Sequence, residues 1–338
     1  MRRRPFLTLA AAALFAPSIG QQAAHAQEKE LPGDLEDLLL YGQDRIQAPR
    51  REPTRQTVAA SLVASREEFK AARYDALARA LPGRIAAAGR VGAPEEQARN
   101  VARLYSVAVR LCIKIGTDHL VSVTADRALT AARQGGDPLI TAEAQRMVSS
   151  AWRRQGSLAR ATGIVVDAAE ELLADTTAPE AARLAVRADL YATAAYTAAK
   201  SGDRSAAHAL IKEAADSSAA AGRASGQVDG LPGVALHQLS VHYELGDSGK
   251  AIELAATIDP AALPTTERQA RFFTDVARAF DQWGKPAHCY RALLAAEEVA
   301  PQEIRRGAVR DLATGLLRHD RTLPGIRAFA ERAGVPVV

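Results

Sequence analysis

From Thr54 onward, apolar residues recur at intervals of three and four, which is the spacing of an amphipathic α-helix. About fourteen such segments are predicted, and strands are not. Five glycines that lie 38 to 46 residues apart each separate two of these segments: Gly116, Gly156, Gly202, Gly246 and Gly284. A period in this range is typical of stacked helical hairpins. We therefore predict an all-α fold, an α-solenoid of about six to seven hairpins over residues 54–338.

The turn residues support this division into helices. Gly-Asp or Gly-Ser pairs occur at Gly156, Gly202 and Gly246, where Gly can end one helix in a left-handed conformation and Asp or Ser can cap the next. Prolines fall where the first helix of a pair should begin, because proline is tolerated in a first helical turn. These prolines are Pro94, Pro138, Pro179, Pro232, Pro264 and Pro301.

The segment from Phe273 to Pro301 contains bulky, small and turn residues at characteristic distances from Gly284. Small residues let two helices approach, and bulky ones fill the space beside them. This spacing resembles the tetratricopeptide repeat, whose period is about 34 residues. The segments around Gly156 and Gly202 fit the same frame, the segment around Gly116 fits more loosely, and the segment around Gly246 fits least. The resemblance implies tetratricopeptide-like hairpins with longer helices, and it places Trp152 and Phe280 in the core.

A second resemblance covers residues 54–173 best. The runs Ser65–Pro82 and Val123–Arg133, followed by Gly136-Asp137-Pro138, are similar to the helical C-terminal region of actinobacterial helix-turn-helix transcriptional regulators. In those regulators a DNA-binding domain precedes the helical region. No recognition-helix pattern is found before Thr54, so we expect no direct nucleic-acid binding.

The N-terminus has a different character from the rest of the chain. Residues 1–26 combine Arg2, Arg3 and Arg4 with a short apolar run and end in Ala24-His25-Ala26, as a secretory signal does. The run Arg3–Thr8 also resembles a twin-arginine signal. We expect export with cleavage after Ala26, and cytoplasmic location is the alternative. Residues 27–53 read as a linker with one short helix at Leu35–Tyr41, and no segment is long enough to span a membrane.

Charge and cysteine content narrow the possible functions. The net charge is +4, but removing residues 1–26 leaves about +1, so the body carries no general attraction for nucleic acid. The two cysteines, Cys112 and Cys289, lie far apart on apolar helix faces, and we expect both to be free thiols.

No set of residues with catalytic spacing is found, so we expect no enzymatic activity and no cofactor. Gly249-Lys250 lacks the first glycine and the Ser/Thr of a phosphate-binding loop. His237 and His242 are five residues apart, which places them on different faces of a helix, so no metal site is expected. Paired acids such as Glu170-Glu171 are typical of solvated helix faces.

The remaining candidate is the concave groove of the solenoid. In the tetratricopeptide frame, certain positions of each first helix face inward, and here many of them are arginines, which suit carboxylates, phosphates and peptide backbone. Arg146 and Ser150 occupy positions where the family's carboxylate clamp has Lys and Asn, so that clamp is not predicted. The candidate groove residues are Arg103, Ser106, Arg110, Glu143, Arg146, Ser150, Arg153, Asp189, Tyr196, Ser240, Tyr243, Arg271, Thr274, Arg278 and Asp281.

The leading hypothesis is a non-enzymatic repeat protein that binds a protein or peptide, with a small anionic ligand as a further option, in a regulatory or signalling role. The first alternative is a small-ligand sensor that works with a separate DNA-binding regulator. The second is an exported accessory factor or enzyme. The sequence does not indicate an oligomeric state.

Overall fold

The computed structural model describes residues 32–42, 52–226 and 233–337, and within them the protein is all-helical, as predicted. The signal-like segment 1–26 and Pro232 lie outside the described residues. Three short 3₁₀ turns lie at Pro260–Ala262, Glu303–Arg305 and Leu317–His319. The α-helices are α1 (Gly33–Tyr41), α2 (Arg55–Lys70), α3 (Tyr74–Ala88), α4 (Pro94–Ile115), α5 (Asp118–Gly135), α6 (Pro138–Arg154), α7 (Leu158–Ala174), α8 (Glu180–Lys200), α9 (Arg204–Ser225), α10 (Gly233–Glu244), α11 (Ser248–Ala255), α12 (Thr266–Gln282), α13 (Pro286–Val299), α14 (Gly307–Leu316) and α15 (Ile326–Arg332).

The five periodic glycines separate helices as predicted. They lie between α4 and α5, α6 and α7, α8 and α9, α10 and α11, and α12 and α13, with φ from +69° to +86°. Capping is less regular. The Asp203 carboxylate accepts a hydrogen bond from the Ala206 N–H, 2.9 Å away, but Ser157 and Asp247 make no such bond. The Asp247 side chain pairs instead with Arg204, at 2.5 Å.

From α2 onward, consecutive helices pack in pairs. The first helices of six pairs, α2, α4, α6, α8, α10 and α12, also pack against one another in that order. We call these the inner helices. Each second helix, from α3 to α13, packs on inner helices, and α12 also packs against α2, so the contacts among the inner helices form a ring.

Small side chains allow these close helix contacts. Ala277, Cys289 and Ala296, which occupy the small positions of the repeat around Gly284, are completely buried. Both cysteines are free thiols, as expected. The bulky residues Trp152 and Phe280 are only half-buried, because each lies at the edge of an apolar cluster. Both residues pack against the core, as the repeat frame predicts, but neither is enclosed by it.

Helix α1 docks on the outside of the first pairs. Leu35, Leu38 and Leu39 are completely buried against α3 and α5. Arg127 of α5 holds the C-terminal end of α1, because its Nε donates to the Leu39 carbonyl at 3.0 Å and its Nη2 to the Leu40 carbonyl at 2.7 Å. Guanidinium donors satisfy carbonyl groups that a helix end leaves unpaired.

A buried polar cluster joins α3 and α4 to α12 and to the 3₁₀ turn at Glu303–Arg305. Glu303 is completely buried and pairs with Lys114 of α4 at 2.9 Å and with Arg306 at 3.0 Å, and it also accepts a hydrogen bond from Tyr74. Lys114 contacts Glu267 of α12 at 2.5 Å. Burial alone would raise the pKa of Glu267, but the charges of Lys114 and Arg268 lower it to about 2. We call Tyr74, Lys114, Glu267, Glu303 and Arg306 the closing cluster.

Apolar contacts also join the early helices to α12 and α13 beside the closing cluster. Ala270 of α12 and Ala300, which follows α13, belong to one buried cluster with residues of α1 to α6. The first helix pairs and the α12–α13 pair therefore share both apolar and ionic contacts. Among the described helices, none combines the length and the apolar content that a membrane span requires.

Candidate ligand-binding site on the inner helices

All the candidate groove residues lie on inner helices α4, α6, α8, α10 and α12. Their arginines differ in whether a carboxylate already neutralises them. On α4 and α6, Arg110 forms an ion pair with Glu143, and Arg146 lies 3.9 Å from the same carboxylate. Burial would raise the pKa of Glu143, but the charges of Arg110 and Arg146 lower it overall. Arg103 has a longer contact, 4.0 Å, with Asp137.

Further along, the groove residues form a compact ion-pair network around Glu244 of α10. Its carboxylate accepts hydrogen bonds from the Tyr196 hydroxyl at 2.8 Å and from Arg278 at 3.0 Å. Arg278 also lies 3.6 Å from Asp275 and stacks on Tyr243, 4.2 Å from the ring centre. These contacts use the charge of Arg278 inside the protein, so its first role is to hold α8, α10 and α12 together.

Asp275, which the sequence did not single out, is almost fully buried and shared by several groups. It accepts a hydrogen bond from the Ser240 hydroxyl at 2.8 Å, and it lies 3.5 Å from the Arg271 Nε. Thr274 donates to a carbonyl of its own helix. Asp281 lies near the end of α12 and takes no part in the Glu244 network.

Arg153 of α6 is different, because no carboxylate of the described residues lies within ion-pair distance. Its Nη1 donates to the Thr197 hydroxyl at 3.2 Å, and its Nη2 lies 3.3 Å from the Ser150 hydroxyl. The guanidinium stacks on Tyr196, 5.1 Å from the ring centre. Burial lowers the pKa of Arg153 to about 10, so it remains charged at neutral pH.

Two further residues complete this region, and the sequence did not identify them as ligand-binding. His237 of α10 is only 9% exposed, and its pKa is well below the usual value because it is buried and faces the charges of Arg271, Arg268, Arg146 and Arg153. The charge of Arg268 of α12 acts on this histidine, and Arg268 also lies 4.0 Å from Glu267. The sequence contains no signal that places α12 beside α4 and α6, so neither His237 nor Arg268 could be assigned to the groove from its local pattern.

Four buried polar atoms on the inner helices have no hydrogen-bond partner: the Ser106 Oγ, the His237 Nδ1, the His242 Nδ1 and the Arg268 Nη1. His242 lies against His208 of α9, whereas His237 is close enough to the inner arginines to feel their charges. Buried polar atoms in folded proteins are nearly always paired, and each unpaired one costs about 1–3 kcal/mol. A ligand that accepts hydrogen bonds could satisfy such donors.

The rest of the described surface offers less. A cleft of about 340 Å³ lies between the turns at 136–139 and 177–179, where Arg99 and Asp137 are among its lining residues. None of its lining residues has an unpaired buried polar atom. No group of His, Cys, Asp or Glu in the described ranges could hold a metal ion.

Comparisons with family models, with curated proteins and with solved structures give no match to this chain.

Proposed function

We propose that this protein is a non-enzymatic, tetratricopeptide-like α-solenoid that binds a short peptide along its inner helices and acts in a regulatory or signalling role. The glycine period, the succession of helix pairs and the fully buried small residues at the repeat positions support the solenoid interpretation. The likeness to the helical region of helix-turn-helix regulators supports the regulatory role.

The observation that carries this proposal is the set of incompletely paired arginines on the inner helices. Arg153 has only hydroxyl and aromatic partners, and Arg146 shares Glu143 with Arg110. A cation kept from water without its own counter-ion is unfavourable unless a ligand neutralises it. Arginine forks and the Tyr196 ring are groups that hold peptide carbonyls, carboxylates and side chains.

The size of the ligand is inferred from the contact of α12 with α2, which joins the last inner helix to the first. A short extended peptide or a small molecule fits such an interior better than a folded protein does. This contact also favours the second candidate function, a sensor of a small anionic ligand that works with a separate DNA-binding regulator.

The test is selection of displayed random peptides on the full chain, followed by titration of the selected synthetic peptides. Arg103→Ala and Arg146→Ala should each weaken binding by about 1–3 kcal/mol, the usual value of a charged hydrogen bond. Arg291→Ala, on the exposed side of α13, is the matched control and should leave affinity unchanged. Failure to select any peptide, or equal effects of all three variants, would refute peptide binding at the inner helices.

We also propose export, with residues 1–26 removed after Ala26. Support comes from the charged start, the apolar run and the Ala-His-Ala ending. Sequencing the N-terminus of the protein isolated from its native host should give Gln27 as the first residue. Full-length protein recovered from the cytoplasm would contradict this and favour the cytoplasmic alternative.

A further inference from the structure

We infer that Arg146, Arg153, Arg268 and His237 form a subsite for a dianionic phosphoryl group of the ligand. This inference rests on the proposed function, since it assigns the chemistry of one part of the same inner surface. The four side chains come from α6, α10 and α12, and α6 is not adjacent to the other two in the order of the inner helices. Ala270 of α12 nevertheless shares one buried apolar cluster with Met147 and Ala151 of α6. The charges of all three arginines accordingly act on His237.

The charge balance around these residues favours a doubly charged group. The ion pairs Arg110–Glu143 and Arg271–Asp275 account for two cations and two carboxylates. Glu267 has Lys114 as its near partner at 2.5 Å, and Arg268 lies 4.0 Å from the same carboxylate, so one negative charge is shared by two cations. Arg146, Arg153 and Arg268 then face Asp189, whose charge acts on Arg146 and Arg268. An excess of about two positive charges matches a phosphate monoester, which carries about −1.5 to −2 at neutral pH, better than a single carboxylate.

The hydrogen-bonding capacity points the same way. Arginine and the Ser106 hydroxyl can donate, and three phosphoryl oxygens can accept from several donors at once. The His237 Nδ1 and the Arg268 Nη1, which have no partner in the protein, would gain acceptors. His237 faces four arginines and is held neutral, so its imidazole can offer one N–H without adding a further buried charge.

The experiment uses the purified full chain and isothermal titration calorimetry with inorganic phosphate, O-phosphoserine and acetate as probes. Phosphate and phosphoserine should bind saturably, and acetate should bind much more weakly because it carries one charge. Arg153→Gln and Arg268→Gln should each weaken phosphate binding by at least about tenfold, equivalent to about 1.4 kcal/mol. Arg154→Gln, next in sequence but exposed and paired with Asp118 at 2.7 Å, should bind like the wild type.

Circular dichroism of each variant separates lost binding from lost folding, and only folded variants are compared. A chain that binds phosphate no better than acetate would overturn the subsite. Equal losses in Arg153→Gln and Arg154→Gln would also overturn it, because that pattern reports general charge rather than a site.

The source of the phosphoryl group is decided by comparing the peptide Ala-Ala-phosphoserine-Ala with Ala-Ala-Ser-Ala and with free O-phosphoserine. Tighter binding of the phosphopeptide than of free phosphoserine assigns the site to modified peptides, and the reverse order assigns it to a small phosphorylated metabolite. Phosphate binding without any selected peptide would leave the subsite standing while peptide binding fails. If selected peptides bind Arg153→Gln as tightly as the wild type and do not compete with phosphate, peptide binding would stand and the phosphoryl subsite would fail.

Discussion

At the scale of single residues, the inner arginines divide into two groups that the sequence could not separate. Arg278 of α12 and Arg153 of α6 both stand at inward-facing positions of the repeat frame, yet Arg278 is surrounded by Glu244, Asp275 and Tyr243, whereas Arg153 meets hydroxyls and a ring. Their partners come from neighbouring helices, so a repeat frame predicts which way a side chain faces but not what it meets. Removal of Arg278 is therefore expected to affect stability as well as any ligand.

His237 makes stability depend on pH. Its pKa is lowered in the folded protein and near 6.5 after unfolding, so below pH 6.5 the unfolded chain binds the proton more readily. Stability should therefore be complete above pH 6.5 and fall with acidification, by up to about 1.4 kcal/mol per pH unit until the folded pKa is reached. Urea unfolding of the wild type and of His237→Gln from pH 8 to pH 5 measures this.

In that series His237→Gln should lack the part of the decline that the wild type shows just below pH 6.5. At pH 8 the histidine is neutral in both states, so a difference there reports packing alone and serves as the reference. Parallel stability curves for the two proteins over the whole range would show that His237 is not the group responsible.

At the scale of helices and turns, the sequence predicted most of what the structure contains. Periodic apolar residues gave the helices, and five glycines marked the turns within pairs, because each turn requires positive φ. Caps were less predictable. Asp203 and Asp247 follow glycine in the same way, but Arg204 of the neighbouring pair draws Asp247 away from its own helix. A local Gly-Asp motif does not show whether a side chain from another helix will compete for the capping carboxylate.

A turn glycine and a helix glycine should respond to alanine substitution with opposite changes in the free energy of unfolding. Gly202 has φ +79° and no atom within 4 Å of an added Cβ, so Gly202→Ala should destabilise by about 1–2 kcal/mol through backbone conformation alone. Gly163 lies inside α7 with equal space, and Gly163→Ala should stabilise by about 0.4–1 kcal/mol. Urea unfolding of both variants checks the pair, and the same sign for both would mean that the turn and helix assignments are wrong.

At the scale of the whole molecule, the ring of contacts among the inner helices could not be predicted from the sequence. A repeat pattern defines how each pair meets the next, but the curvature that brings α12 to α2 accumulates from small rotations over all the pairs. Tyr74, Lys114 and Glu303 look like ordinary surface residues when considered alone. The subsite residues His237 and Arg268 escaped notice for the same reason.

Lys114→Met tests the closing cluster, because it leaves Glu303 and Glu267 buried with one partner fewer. Removing one member of a buried ion pair typically costs about 3–5 kcal/mol. Lys70→Met, which breaks the exposed pair with Glu67 at 2.9 Å, is the control and should cost at most about 1 kcal/mol. Thermal and urea unfolding measure both, and equal small losses would show that Lys114 does not stabilise the junction.

The closing cluster also bears on how such a chain can evolve. An open stack of repeats accepts the duplication or loss of a unit, since each unit meets only its neighbours. Here Lys114 and Glu303, 189 residues apart in sequence, must arrive at the same point. A unit gained or lost between them would separate Lys114 from Glu303 and leave Arg306 as the cationic partner of Glu303. The closing cluster therefore fixes the number of helix pairs between these residues. Related proteins are expected to differ by substitutions within the pairs rather than by the number of pairs.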